Sequence, residues 1–196
     1  MTVITRRTTV SGLLAVALLP AACASPSPVL YTLDQVPGVT RSHGPHVVML
    51  RDIGLAPYLD RQQIVRSSSN YRIDVESNNW WGEPFGAMMI RVLTAEIDQR
   101  LPGTSVYSES GAISPLPDAT VEINIQRFDT DSDGKVRLTA QLAVTFANVD
   151  HASVSRSLQL VAVPPRPDLT GQVAAMSIAV GELSDAVAAA LVSRHR

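Results

Sequence analysis

Apolar and polar residues alternate along Tyr71–Glu76. Tyr71, Ile73 and Val75 fall on one side, and Arg72, Asp74 and Glu76 on the other. A period of two predicts a strand with one face buried. His46–Leu55, "HVVMLRDIGL", is a more continuous apolar run and reads as a central strand. Asp60–Ser68 reads as a short strand leading into a turn at Ser67–Asn70. The pattern then changes to helical spacing. Phe85, Met89, Val92, Ile97 and Leu101 predict a helix over Glu83–Leu101, with Pro84 in its first turn and "LPG" at its end. "TSVYSES" follows as an edge strand. Period two returns in "TVEINIQ" and "KVRLTAQLAVTF", joined by the turn "DTDSDG", and a third strand covers Arg156–Val163 after a turn at Asn148–His151. A second helix covers Asp168–Ser193, with Val173, Met176, Val180, Leu183, Val187 and Leu191 as its apolar stripe. The order of strands, helix, meander, helix predicts an α+β fold: a mostly antiparallel sheet with two main helices packed on one face.

The N-terminus follows a different pattern. Arg6 and Arg7 precede the apolar run Val10–Leu19, and small residues end it at Ala21, Ala22 and Cys23. That is the form of an export signal over residues 1–22, too short to span a bilayer. "TRR" at Thr5–Arg7 also leaves twin-arginine export open beside the general route. Small residues directly before a cysteine resemble a lipobox, with Pro20 where a leucine is usual. The chain has one cysteine, so no intrachain disulfide forms, and Cys23 is expected to be acylated. Ala24 rather than Asp follows it, and in lipoproteins of the enterobacterial type that resemblance implies the outer membrane. Residues 23–30 then read as a lipidated tether, and residues 31–196 as a single domain with a real core. Removing residues 1–22 takes away Arg6 and Arg7 and no acidic residue, so the formal charge goes from −2 to −4. With no basic stripe, nucleic acid is not expected as a partner.

Several short motifs carry chemistry elsewhere. "DTDSDGK" begins like a calcium loop, but position twelve is Ala140 where a glutamate is needed, and strands flank it, so it reads as a hairpin turn. His43 and His46 lie three apart without an obvious third ligand; His151 and His195 lie in a turn and at the C-terminal end. No metal, cofactor or catalytic residue is expected. No G-x-S-x-G and no phosphate-binding glycine loop occurs. The neighbouring Asp60 and Arg61 read as a structural ion pair rather than a polarised acid. Of Trp80 and Trp81, one is expected to pack under the helix and the other to stay exposed, in the core or at an interface. Glu83 sits where a carboxylate favours a helix N-terminus.

"YTLD", "APYLDRQQIV" and "NNWWGEPFGAMMIRVLTAEIDQRLP" in one exported chain resemble the ABC-type transport auxiliary lipoproteins of the PqiC type. Tyr58, Leu59, Asp60, Arg61, Gln63, Ile64 and Val65 match that family's first motif, with Gln62 where a proline is usual. Trp81, Glu83 and Pro84 match its second, with Gly82 for an alanine and Trp80 for a basic residue. Tyr31, Thr32 and Leu33 match the start of its domain. The resemblance implies a non-enzymatic lipoprotein on the periplasmic face of the outer membrane. Its implied partner is a periplasmic MCE-domain protein of an ABC/permease lipid-transport system, with a homo-oligomer as a further expectation. Tyr58–Val65 then reads as a structural corner, with Tyr58 and Leu59 in the core and Asp60 and Arg61 pinning the turn. A stand-alone lipid- or ligand-binding lipoprotein and an outer-membrane assembly factor are the alternatives; an envelope hydrolase is the weakest.

Overall fold

A computed structural model describes residues 27–69, 71–148 and 153–193. Residues 1–22, Cys23, Asn70, His151 and His195 lie outside the described residues. The elements are β1 (Val29–Tyr31), β2 (Val47–Leu50), β3 (Gly54–Leu55), β4 (Gln63–Ser69), β5 (Arg72–Trp81), α1 (Phe85–Arg100), β6 (Ser105–Ser108), β7 (Ala119–Thr130), β8 (Val136–Phe146), β9 (Val154–Ala162) and α2 (Leu169–Val192). Val29 and Leu30, read from the sequence as the end of the tether, belong to β1. The single strand expected over His46–Leu55 is two strands, because the chain leaves the ladder at Arg51–Ile53.

All nine strands join one sheet with β7 as its spine. On one side β7 pairs along its whole length with β8, and β8 with β9, both antiparallel. On the other side β2, β3 and β4 meet β7 in succession, each parallel. β6 extends the sheet beyond β2, and the antiparallel β4–β5 pair carries β1 on its outer edge. The long pairings are antiparallel; the parallel ones are short.

Alternation explains the core. Val121, Ile123 and Ile125 of β7 face inward with Val144, Leu142 and Ala140 of β8. The register slips between Ile125 and Arg127, which moves the inward set to Phe128 and Thr130. A bulge does this by placing one extra residue opposite the partner strand. Without it Arg127 would point into the core. α2 packs on β7, β8 and β9, and α1 packs on α2 and β6. Both predicted stripes are buried, and each fully buried large apolar side chain contributes about 1.5–3 kcal/mol. α2 is long and apolar enough to cross a membrane by length and composition, but it is mostly buried and serves as the core helix. Asp168 caps it, accepting from the Gly171 N–H at 2.7 Å.

Candidate functional site

The corner begins where β3 ends. Leu59 N–H donates to Ala56 O and Arg61 N–H to Leu59 O, both at 2.9 Å, closing a tight backbone turn. Leu59, Ile64 and Val65 are buried in the core, and Gln63 opens β4. The Tyr58 hydroxyl donates to Asp129 Oδ2 at 2.7 Å, and Arg127 Nε donates to Asp129 Oδ1 at 2.9 Å. Asp129 is fully buried, so the tyrosine and the arginine supply it with polar partners that water cannot. This corrects the expected role of Asp60 and Arg61. Both are exposed, and neither side chain makes a hydrogen bond or ion pair among the described residues. A tight turn leaves consecutive polar side chains pointing outward, while the tyrosine reaches back to β7.

The tryptophan segment meets the same corner. Gln63 lies opposite Trp80 in the β4–β5 ladder, and Trp81 N–H donates to Gln62 O at 2.7 Å. Trp81 is buried and stacks on Phe85, with ring centroids 5.0 Å apart; Phe85 in turn meets Phe128 at 5.9 Å. Trp80 is partly exposed, and its Nε1 donates to Ser77 O at 3.2 Å. Tyr31 pairs with Trp81 in the parallel β1–β5 ladder, and its carbonyl accepts from Gly82 N–H at 2.8 Å. Pro84 is the residue before the first helical turn, not within it; its carbonyl accepts from Met88 N–H at 3.0 Å. Glu83 precedes it, and the first turn of α1 holds no acidic residue. Arg91 binds that carboxylate through Nε at 3.1 Å and reaches Thr32 Oγ1 at 3.2 Å. The three sequence motifs therefore converge at the head of α1.

An open groove of about 810 Å³ starts there. Gly86, Ile90, Thr94 and Asp98 of α1 form one wall; Ile53 and Val106 stand on the other. It is open to the surface, between α1 and the β6 edge of the sheet.

A polar cluster that the sequence reading missed joins the two helices. Arg100 is buried; its Nε donates to Asp185 Oδ1 at 2.6 Å, and its Nη atoms donate to the carbonyls of Glu96 and Gly181 at 3.1 and 3.0 Å. The Ser184 hydroxyl donates to Glu96 Oε2 and Val36 N–H to Glu96 Oε1, both at 2.7 Å. Burial pushes the Glu96 carboxyl above its ordinary pKa; these hydrogen bonds and the Arg100 charge offset part of that. The cluster also holds an irregular strap over residues 32–46. Asp34 N–H donates to Ser177 Oγ, Gly38 N–H to Gln99 Oε1 and Arg41 N–H to Arg100 O. A Cβ on Gly38 would sit 2.3 Å from the Arg100 guanidinium, so the strap needs glycine there.

The remaining motifs are accounted for locally. Asp131 Oδ1 accepts from the N–H groups of Asp133 and Lys135 at 2.9 Å each, and Arg137 Nε donates to Oδ2 at 2.6 Å. Burial pushes the Asp131 carboxyl up, but those bonds together outweigh it and hold it below the ordinary carboxylate value. With Gly134 at φ 75°, "DTDSDG" closes the β7–β8 hairpin. His43 and His46 are exposed. Among the described residues no group of three or more His, Cys, Asp or Glu could hold a metal ion.

A mostly antiparallel sheet with β7 as its spine and two helices on one face defines the class as an α+β domain. The chain matches the family model described as the ABC-type transport auxiliary lipoprotein component over residues 31–188, and it belongs to that family. By its description the family comprises auxiliary lipoprotein components of ABC-type transport, which implies an envelope location. This chain is 26% identical over 104 residues to the intermembrane transport lipoprotein PqiC of Escherichia coli (strain K12), and equally to that of Shigella flexneri. The chain spans about half the length of these relatives, the alignment covering 53% of each. The fold is shared with a crystal structure of an uncharacterized protein (TM-score 0.69, 17% identity, covering 83% of this chain and 97% of that one). It is also shared with a protein from Xanthomonas campestris (TM-score 0.65, 15% identity, covering 84% and 96%).

Proposed function

We propose that this chain is exported, acylated at Cys23 and anchored on the periplasmic face of the outer membrane. There it acts without catalysis, as the docking element of an intermembrane lipid-transport system. The partner we assign is a periplasmic MCE-domain protein of an ABC/permease complex. One observation carries the reading: Tyr31, Tyr58–Val65 and Trp80–Pro84, far apart in sequence, meet at the head of α1 beside an open groove. Buried members of these motifs build the corner, while Asp60, Arg61 and the groove wall are left accessible to a partner. A ring of identical subunits is compatible with the same surface.

The test is purification from membranes, with intact mass, membrane fractionation and identification of co-purifying proteins. Wild type is expected to carry acyl chains, to fractionate with the outer membrane and to bring down an MCE protein; Cys23→Ser is expected to be released as soluble protein. Ala95→Arg, which fills the groove from α1, is expected to lose the partner while keeping acylation and fractionation. An unacylated, soluble and solitary wild type would overturn both anchor and partner, and would favour a free periplasmic binding protein.

A further inference from the structure

Beyond Ser67, which pairs with Thr130 of β7, the β4–β5 hairpin continues as a two-stranded arm. On β5, Val75 and Ile73 lie two apart, followed by the adjoining tip residue Tyr71; the register slips between Trp80 and Val75, so this stretch does not continue the face of Trp81. These three are 37%, 45% and 112% exposed. Val29 of β1, opposite Asn79 in the parallel ladder, is also exposed. The other face is polar: Arg72 pairs with Asp74, Arg66 with Glu76, and the Ser67 hydroxyl donates to Asp74 Oδ2 at 3.1 Å. The arm is therefore amphipathic, and its apolar side is uncovered among the described residues.

The tip is unusual in a second way. Tyr71 has φ 63°, in the left-handed region where glycine or asparagine is ordinary and an aromatic residue is strained. A fold that needed only a turn would be better served by glycine. The strained position instead presents a fully exposed phenol ring, a side chain with an apolar body and a polar tip.

The chain outside the described residues indicates what covers this face. β1 runs parallel to β5, so the chain enters β1 from the tip side, and Asn78 Nδ2 donates to Ser27 O at 3.4 Å. Cys23 lies four residues before Ser27. Four residues reach at most about 14 Å when extended. An acylated Cys23 thus holds the arm within that tether length of the membrane.

Resting on the anchor reading above, we infer that the apolar face of the arm, Tyr71, Ile73 and Val75, lies against the lipid bilayer as a second membrane contact. Tyr71 enters the interfacial layer, where tyrosine is favoured. Acyl chains alone leave a domain free to swing on its tether. This contact fixes its orientation and turns the head of α1 in a defined direction.

The experiment couples the mature chain, Cys23 to Arg196, through the Cys23 thiol to a maleimide lipid. The vesicles are phosphatidylethanolamine and phosphatidylglycerol with brominated acyl chains, so the result does not depend on acylation in the cell, which intact mass reports separately. Tyr71→Trp is compared with wild type, whose Trp80 and Trp81 give the background, and with Leu116→Trp, an exposed loop position beyond the β6 edge at the opposite end of the sheet. The expected result is a blue-shifted Tyr71→Trp signal, quenched at least twofold more than that of Leu116→Trp. Equal quenching at the two positions would overturn the inference while leaving the anchor intact. A blue shift already present without lipid, in a chain that sediments as an oligomer and that Ile73→Asp dissociates, would assign the face to a second copy and also overturn it.

Discussion

In the β7–β8 pair, Val121, Ile123, Leu142 and Val144 alternate with polar residues, and all four lie buried under the helices. Over Tyr71–Glu76, Tyr71, Ile73 and Val75 alternate with polar residues just as regularly, yet they are exposed. Both segments obey the same period. The difference is the reach of the helices: α2 covers β7, β8 and β9, while it touches β4 at Val65, whose carbonyl accepts from Gln172 Nε2 at 3.0 Å. Alternation therefore identifies which residues share a face, and the tertiary arrangement decides what that face meets.

The comparison can be broken first in the covered region. Arg100 is 1% exposed and ties α1 to α2 through Asp185 and the Gly181 carbonyl, with a further bond to the Glu96 carbonyl of its own helix. Arg100→Met keeps much of the volume and removes every one of those bonds. A loss of about 3 kcal/mol is expected, the upper end of the range for hydrogen bonds to a charged group, since several are lost while Asp185, 41% exposed, stays partly solvated, read by urea denaturation. A loss under about 1 kcal/mol would mean that apolar packing alone holds the helices together.

Tyr58→Phe acts at the junction of the two regions, where the corner leads from β3, paired with β7, into β4. It removes the bond to Asp129 and leaves the ring in place. The expected loss is about 1.5–3 kcal/mol, the range for a hydrogen bond to a charged group, again by urea denaturation. An unchanged midpoint would show that the backbone turn holds the corner without the hydroxyl.

What was legible follows from the same physics. Period two and helical spacing located the meander, both helices and the hairpin turn at Gly134, because each signal lies within one element. The bulge at Gln126 was not legible, since only pairing with β8 shows the register slip. Nor was the strap: its Asp34 N–H is satisfied by Ser177, 143 residues away. The polar cluster left a trace, because Glu96 and Arg100 lie four and eight residues after Val92, on the buried face of α1. Charges on an apolar stripe signal a buried partner, and that partner, Asp185, lies on the other helix. In the corner, Asp60 and Arg61 drew attention by adjacency, whereas Tyr58 carries the contact.

Tyr71→Gly has the smallest expected effect on stability and separates the two regions most sharply. A non-glycine residue held in the left-handed region costs of order 1–3 kcal/mol. Glycine removes that strain but gives the unfolded chain more freedom, so a net gain of about 1 kcal/mol is expected by urea denaturation. The deleted ring touches no core residue that would offset this, since it is fully exposed. The same substitution is expected to weaken lipid contact of the tethered chain, measured by brominated-lipid quenching of a tryptophan introduced at Ile73. A more stable fold with a poorer membrane contact would mean that the tyrosine is kept at the tip for something outside the fold. If Tyr71→Gly instead lowered stability, the ring would be supporting the hairpin itself, and the arm would differ from the meander only in degree.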